Sequence, residues 1–166
     1  MRKTTVSGLS LRKAGLEDKA FLLEVRNSPE VRLQSKTQEL IAESTHKKWF
    51  RAQLGSPVSV IWILEYQGQQ EGYLRAQENR SGRWLLSIAL RTDAQGKGHG
   101  TWAVQEGCRL LRERYGAKRL TAEVLATNTA GRRLFKGVGC VEKERMQEGG
   151  LHLVRFECEL GCSLGQ

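Results

Sequence analysis

From Trp84 to Gly100 the chain reads Trp-Leu-Leu-Ser-Ile-Ala-Leu-Arg-Thr-Asp-Ala-Gln-Gly-Lys-Gly-His-Gly, an apolar strand emptying into three alternate glycines. Beyond them Val104, Cys108, Leu111 and Tyr115 keep a helical period that ends at Gly116, a suitable C-terminal stop. A strand that turns through glycine into an amphipathic helix is a β-to-α unit. Such a turn can reach positive φ, so successive backbone N–H groups can face one anion. The start of the helix adds a positive dipole end, and Lys97 adds a full charge. The same spacing also serves a β-to-α turn with no ligand. A P-loop would need a lysine followed by a hydroxyl residue, which Gly98-His-Gly-Thr101 lacks. A dinucleotide fingerprint belongs in the first βαβ unit, and here three strands come before it.

Those earlier elements follow from period and punctuation. Leu9 and Leu11 alternate in a short strand; Leu16, Ala20 and Leu23 then repeat at helical spacing up to Ser28-Pro29. A helix from about Ile41 to Leu54 carries Trp49 and Phe50 and stops at Gly55-Ser-Pro57. Val58 to Tyr66 and Gly72 to Gln77 flank Gln67-Gly-Gln-Gln70 as a hairpin. After the glycine-rich turn and its helix, Leu120 to Leu125 is strand-like, and Thr127 or Asn128 caps a helix reaching about Lys136. Two last strands, Cys140 to Arg145 and Leu151 to Glu159, turn at Glu148-Gly-Gly150. The order β-α-α-β-β-β-α-β-α-β-β is mixed α/β. Residues 1–160 are expected to form one domain, which is what 166 residues can support, with 161–166 a frayed tail.

Composition narrows function. The longest apolar stretch, Val58 to Leu64 with Ser59 inside, is far short of the roughly 20 residues of a membrane helix. Met1-Arg-Lys is followed by no apolar run, so a cytoplasmic location and no membrane partner are expected. Cys108, Cys140, Cys158 and Cys162 contain no C-x-x-C pair, so neither a zinc site nor a disulfide framework is expected, and Cys108 and Cys140 read as small buried hydrophobes. None of the three histidines has a second ligand four residues on, so no metal is assigned. A net charge of +9 makes an anionic partner plausible. A basic nucleic-acid-binding module is the reading from another class, but the cations are spread along the chain rather than gathered in a stripe.

Gln95, Gly98 and Gly100 form Gln-x-x-Gly-x-Gly, which resembles the acetyl-CoA pyrophosphate loop of the GNAT N-acetyltransferase superfamily. Glu123-Val-Leu-Ala-Thr-Asn128 with Leu134-Phe135 and Gly139-Cys140 resembles that family's next strand–helix segment, at the right separation. The resemblance implies an α/β (α+β) fold with a central mixed, mostly antiparallel sheet flanked by helices and splayed at the acetyl-CoA site. It implies acetyl-CoA as cosubstrate, with backbone groups of Leu90 on the thioester and pantetheine. Gln95, Gly96, Lys97, Gly98, His99 and Gly100 would hold the pyrophosphate, and Asn128 and Phe135 would lie along the pantetheine arm. His99 would contribute mainly its backbone. Asn128 also suits simple helix capping. Glu123 would be the catalytic base, as in ribosomal-protein alanine N-acetyltransferases; the alternative is an ion pair with Arg119 or Arg132. The family's usual tyrosine acid is Phe135 here, so the thiolate's proton is expected from water, from the amine, or from another hydroxyl such as Ser87 or Tyr66.

Glu24-Val-Arg26-Asn27 through Arg32, with Thr45-His46-Lys-Lys-Trp49-Phe50, resembles the N-terminal part of the branch that includes the N-acetyltransferases of pseudaminic acid biosynthesis. This implies a small-molecule amine acceptor such as a sugar nucleotide, with Arg26, His46 and Trp49 binding it and Arg32 or Lys48 adding charge. His46 beside Lys47-Lys48 equally suits a solvated helix face, and Trp49 a core position. Rival readings are a protein N-terminal acetyltransferase, which needs an open groove, and a CoA-binding domain without turnover. Oligomeric state is not encoded legibly.

Overall fold

The computed structural model describes residues 8–79 and 82–161. It contains strands β1 (Leu9–Lys13), β2 (Ser59–Tyr66), β3 (Gln69–Glu78), β4 (Arg83–Leu90), β5 (Arg119–Leu125), β6 (Val141–Glu148) and β7 (Leu151–Glu159). Five helices accompany them: α1 (Lys19–Asn27), α2 (Pro29–Leu33), α3 (Glu43–Gly55), α4 (His99–Tyr115) and α5 (Thr129–Gly137). The strands make one seven-stranded sheet in the order β1-β2-β3-β4-β5-β7-β6. Every neighbouring pair is antiparallel except β4 with β5. The mixed, mostly antiparallel fold is the one expected. Among the described residues no helix is long and apolar enough to cross a membrane. Met1-Arg-Lys, Cys162 and the tail past Gly161 lie outside the described residues.

Strand β2 explains the longest apolar run. Val60, Trp62 and Leu64 pack with Trp102, Val104 and Leu111 of α4, while Ile61 and Ile63 face Leu22, Val25 and Phe50 of α1 and α3. A strand covered on both faces has no polar side to present, so its alternation vanishes. Cys108 lies in the α4 layer, and burial pushes its thiol up to about 12, which leaves it inert.

Several expectations are corrected. Leu16 is exposed and stands in a 3-10 turn, with α1 starting only at Lys19. Pro29 does not merely end α1: it occupies the first turn of α2, where its missing N–H costs nothing. The β2–β3 hairpin is tighter than Gln67 to Gln70, because Gln67 (φ 50) and Gly68 (φ 80) alone make the turn, both with the positive φ of a two-residue hairpin. Cys140 is not simply a small buried hydrophobe, and the absence of disulfides expected from spacing does not hold for it and Cys158. They face each other across the start of the β6–β7 ladder with Cα atoms 4.5 Å apart and are joined as a disulfide. That separation is the one an antiparallel pair without mutual hydrogen bonds provides. Cysteine spacing along the sequence could not show it, because the partners are brought together by strand register.

The N-terminal layer is tied to the sheet by Asp18, which no motif marked. Its carboxylate is 1% exposed and takes both Nη atoms of Arg12 at 2.8 Å, the Gly15 N–H at 2.8 Å and Gln70 at 3.0 Å. Hydrogen bonds from Arg12 first, against the opposing effect of burial, hold its pKa below the ordinary 3.8. A depressed carboxylate pKa stabilises the fold above the unfolded value and ceases to do so as pH falls through the folded one. Asp18→Asn is therefore expected to cost about 2 kcal/mol at neutral pH in urea unfolding. The gap between variant and parent should narrow as the pH drops below 3.8.

Candidate active site

The parallel contact between β4 and β5 is short. Arg83, Trp84 and Leu85 pair with Arg119, Leu120 and Thr121, after which the strands separate, although β4 continues to Leu90 and β5 to Leu125. The separation leaves backbone groups of Leu86 to Leu90 without a strand partner on that side, where an amide-bearing chain could add as a strand would, the Leu90 carbonyl meanwhile accepting from Gln95. Beside this opening lies a cavity of about 620 Å³. It is lined by Ser87 to Ala89 of β4, by Glu123 to Leu125 of β5, and by residues of α1, α3 and the α2–α3 connection.

Past Leu90 the chain makes one 3-10 turn and enters the glycine segment. Gly96 (φ 76) and Gly98 (φ 81) take left-handed conformations, Gly98 is the N-cap of the 17-residue α4, and a Cβ at either would meet nothing within 4 Å. Gln95 to Gly98 are exposed, so an open cradle stands at a helix start. The segment thus fits a diphosphate, with Lys97 beside it. Gly100 plays a different part from its neighbours. It is helical, and a Cβ there would sit 3.0 Å from Leu134 and 3.2 Å from Leu90, so its smallness seats α4 against α5 and β4. The His99 ring turns inward, 6% exposed, with Nδ1 at 2.5 Å from Glu71 Oε2 and its face on Tyr66. Gln95 Nε2 donates to the Leu90 carbonyl at 3.3 Å.

Asn128 caps α5, its Oδ1 accepting from the Gly131 N–H at 2.9 Å, and it also lines the cavity. Phe135 is 3% exposed, stacks near Phe156 and forms part of the same wall. Glu123 projects from β5 into the cavity with its side chain 13% exposed. Its partners are neither Arg119, which pairs with Glu159, nor Arg132, which pairs with Glu142. They are Lys36, whose Nζ donates to Oε1 at 2.6 Å, and Arg155, 3.7 Å from Oε2.

Arg26, His46 and Trp49 all reach the cavity; Arg32 and Lys48 do not line it. His46 is 3% exposed and stacks on Phe50, which overturns the solvated-face reading: it occupies the inward side of α3 while Lys47 and Lys48 take the outer one. Burial, then Lys19, lowers its pKa, so the ring is neutral at pH 7. Arg26 Nη2 donates to the Thr37 carbonyl at 2.9 Å, while its Nη1 is buried with no hydrogen-bond partner among the described residues. Arg75 and Tyr73 of β3, which sequence reasoning missed, complete the wall, with the Arg75 guanidinium 5.4 Å from the Trp49 ring. Burial pulls Arg75 below the usual arginine value, with Tyr73 opposing and Arg26 adding to the drop. Alternating strand positions on β3 and β4 were visible in the sequence, but which face would open onto a cavity was not.

Residues 21–140 match the model of the acetyltransferase (GNAT) family. Among curated proteins, no sequence matches this chain. Solved structures share the fold at low identity. Spermidine N-acetyltransferase of Vibrio cholerae, in complex with CoA and spermine, aligns with a TM-score of 0.83 at 13% identity, covering 93% of this chain and 96% of the other. An N-acetyltransferase of Staphylococcus aureus Mu50 aligns at 0.80 and 20% identity, over 93% and 99%. A ribosomal L7/L12 alpha-N-protein acetyltransferase in complex with CoA aligns at 0.82 and 13%, over 95% and 97%.

Proposed function

The chain belongs to the acetyltransferase (GNAT) family, and from that premise we propose that it moves the acetyl group of acetyl-CoA onto the primary amine of a small anionic acceptor, a nucleotide-linked amino sugar fitting best. The observation that carries this reading is Glu123 standing across a cationic cavity from the unpaired end of β4. Acetyl-CoA supplies the activated acetyl thioester. The N–H groups around Gly96 and Gly98, with Lys97, bind its diphosphate. Backbone groups of β4 up to Leu90 hold the pantetheine amides and place the thioester at the cavity, with Asn128 and Phe135 along the arm.

Glu123 takes a proton from the acceptor amine, which attacks only as the free base. Phe135 has no proton to give. Tyr66 does not line the cavity and lies against His99, whereas the hydroxyls of Ser87 and Tyr73 are on the cavity wall, so either of these, water or the amine itself returns a proton to the departing sulfur. For the acceptor, Arg26 and Arg75 supply positive charge, the unpartnered Arg26 Nη1 seeks an acceptor atom, and Trp49 offers an aromatic face. With Lys36 already paired to Glu123 and Glu148, Arg26 and Arg75 leave the described lining net positive, which disfavours a polyamine.

Acetyl-CoA at about 100 times its dissociation constant is expected to add roughly 2.7 kcal/mol to the stability of the folded state, read as a thermal shift. A released-CoA assay over amino-sugar nucleotides, N-terminal peptides, aminoglycosides and spermidine should then show turnover with the sugar nucleotides. Turnover confined to peptides would sink the acceptor assignment while leaving the acetyltransferase.

A further inference from the structure

Lys36 belongs to the connection between α2 and α3, outside every motif that carried the functional reading. Its side chain lines the cavity and delivers a primary amine to Glu123 at 2.6 Å, with a second carboxylate, Glu148 at the β6–β7 turn, 3.2 Å away. The Lys36 side chain is 41% exposed, so it is held at the cavity mouth rather than sealed in the core. An external acceptor must reach the same arrangement before it can react: a primary amine against the Glu123 carboxylate, facing the end of β4. A primary amine held against Glu123, on the lining of the cavity that the end of β4 also lines, is therefore already supplied by the chain.

We propose that Lys36 is an intramolecular acceptor and that the site acetylates its own Lys36 side chain. This rests on the reading of Glu123 and acetyl-CoA given above. Lys36 Nζ gives one proton to Glu123, which passes it to solvent. The freed lone pair forms a C–N bond to the acetyl carbonyl carbon as the C–S bond breaks, and the second proton lost from nitrogen goes to the leaving sulfur. The products are a neutral Nε-acetyl-lysine and CoA thiol. Burial opposes the positive charge on Lys36, but hydrogen bonding and attraction from Glu123 and Glu148 outweigh it and raise its pKa. Self-acetylation is accordingly slow beside turnover of an external amine and proceeds when that amine is lacking. Once neutral, Lys36 no longer pairs with either carboxylate, and Glu123 is released to an incoming acceptor.

The full chain is incubated with acetyl-CoA and no acceptor, and its peptides are followed by mass spectrometry. Exposed Lys47, Lys48 and Lys143 report uncatalysed modification of surface amines. One acetyl group is expected on Lys36 ahead of those three, with a rate constant independent of protein concentration. Glu123→Gln should slow it on the order of 100-fold and leave the three surface lysines unchanged. Three outcomes overturn the proposal: a rate at Lys36 that climbs with protein concentration, equal rates in the Glu123→Gln variant, or an unmodified Lys36 while added amines are turned over. The last leaves the enzymatic reading standing. A chain that shows no thermal shift with acetyl-CoA and no modified lysine loses both.

Discussion

Replacing Glu123 by glutamine is expected to lower turnover on the order of 100-fold or more while acetyl-CoA binding is retained. The substitution keeps the shape of the side chain and one acceptor oxygen, and removes only the capacity to take a proton and the charge. The surroundings should survive it. Lys36 keeps Glu148 at 3.2 Å, and Arg155 keeps Glu144 at 3.0 Å. The diphosphate cradle lies on another element, so binding of acetyl-CoA has no route to the change. If Glu123 only served as an ion-pair partner, its loss would cost at most about 1 kcal/mol of stability, because Lys36 and Arg155 are both partly exposed, and would leave kcat alone. A 100-fold fall corresponds to about 2.7 kcal/mol of transition-state stabilisation, which a surface pair cannot supply. The measurement is kcat and KM for the variant beside an acetyl-CoA thermal shift. An unchanged kcat with an unchanged shift would remove Glu123 from the chemistry.

What could be read in advance divides by distance along the chain. The strand from Trp84 to Leu90, the glycine-turn start and Gly116 stop of α4, and a cap for α5 at Thr127 or Asn128 were legible because strand period, left-handed glycines and capping side chains act within a few residues. The pairs that hold or furnish the site were not. Lys36 and Glu123 are 87 residues apart, Asp18 and Gln70 are 52, and Cys140 and Cys158 meet through register. Period also mistook Leu16 for part of a buried face, since a 3-10 turn before α1 rotates it outward. Local pattern says which face of a strand is apolar; only the assembled sheet says where that face ends in a cavity. Arg75 shows the difference, for its position on β3 was plain and its stacking on Trp49 was not.

Gly72→Ala is expected to be the most damaging single methyl group near the site. Gly72 lies in β3 opposite Leu90, and a Cβ there would stand 2.3 Å from the Ala89 carbonyl oxygen and 2.9 Å from the Leu90 Cα. Both obstacles are backbone, so no rotamer change relieves them. Its φ is not in the left-handed region, so the conflict is one of space alone. Either β3 and β4 stay paired and carry the strain, at about 1–3 kcal/mol in urea unfolding, or the end of β4 moves away. The second course displaces the stretch that is to hold the thioester and the pantetheine, and the acetyl-CoA thermal shift should fall with it. Gly55→Ala is the matched control: it lies at the end of α3, with ordinary φ and nothing within 4 Å of the added carbon. There the methyl should be neutral or stabilising by up to about 1 kcal/mol, through better helix propensity and a less free unfolded chain. If Gly72→Ala matched the parent in both unfolding and ligand shift, the close approach of β3 to the end of β4 would not be what fixes the geometry of the cavity.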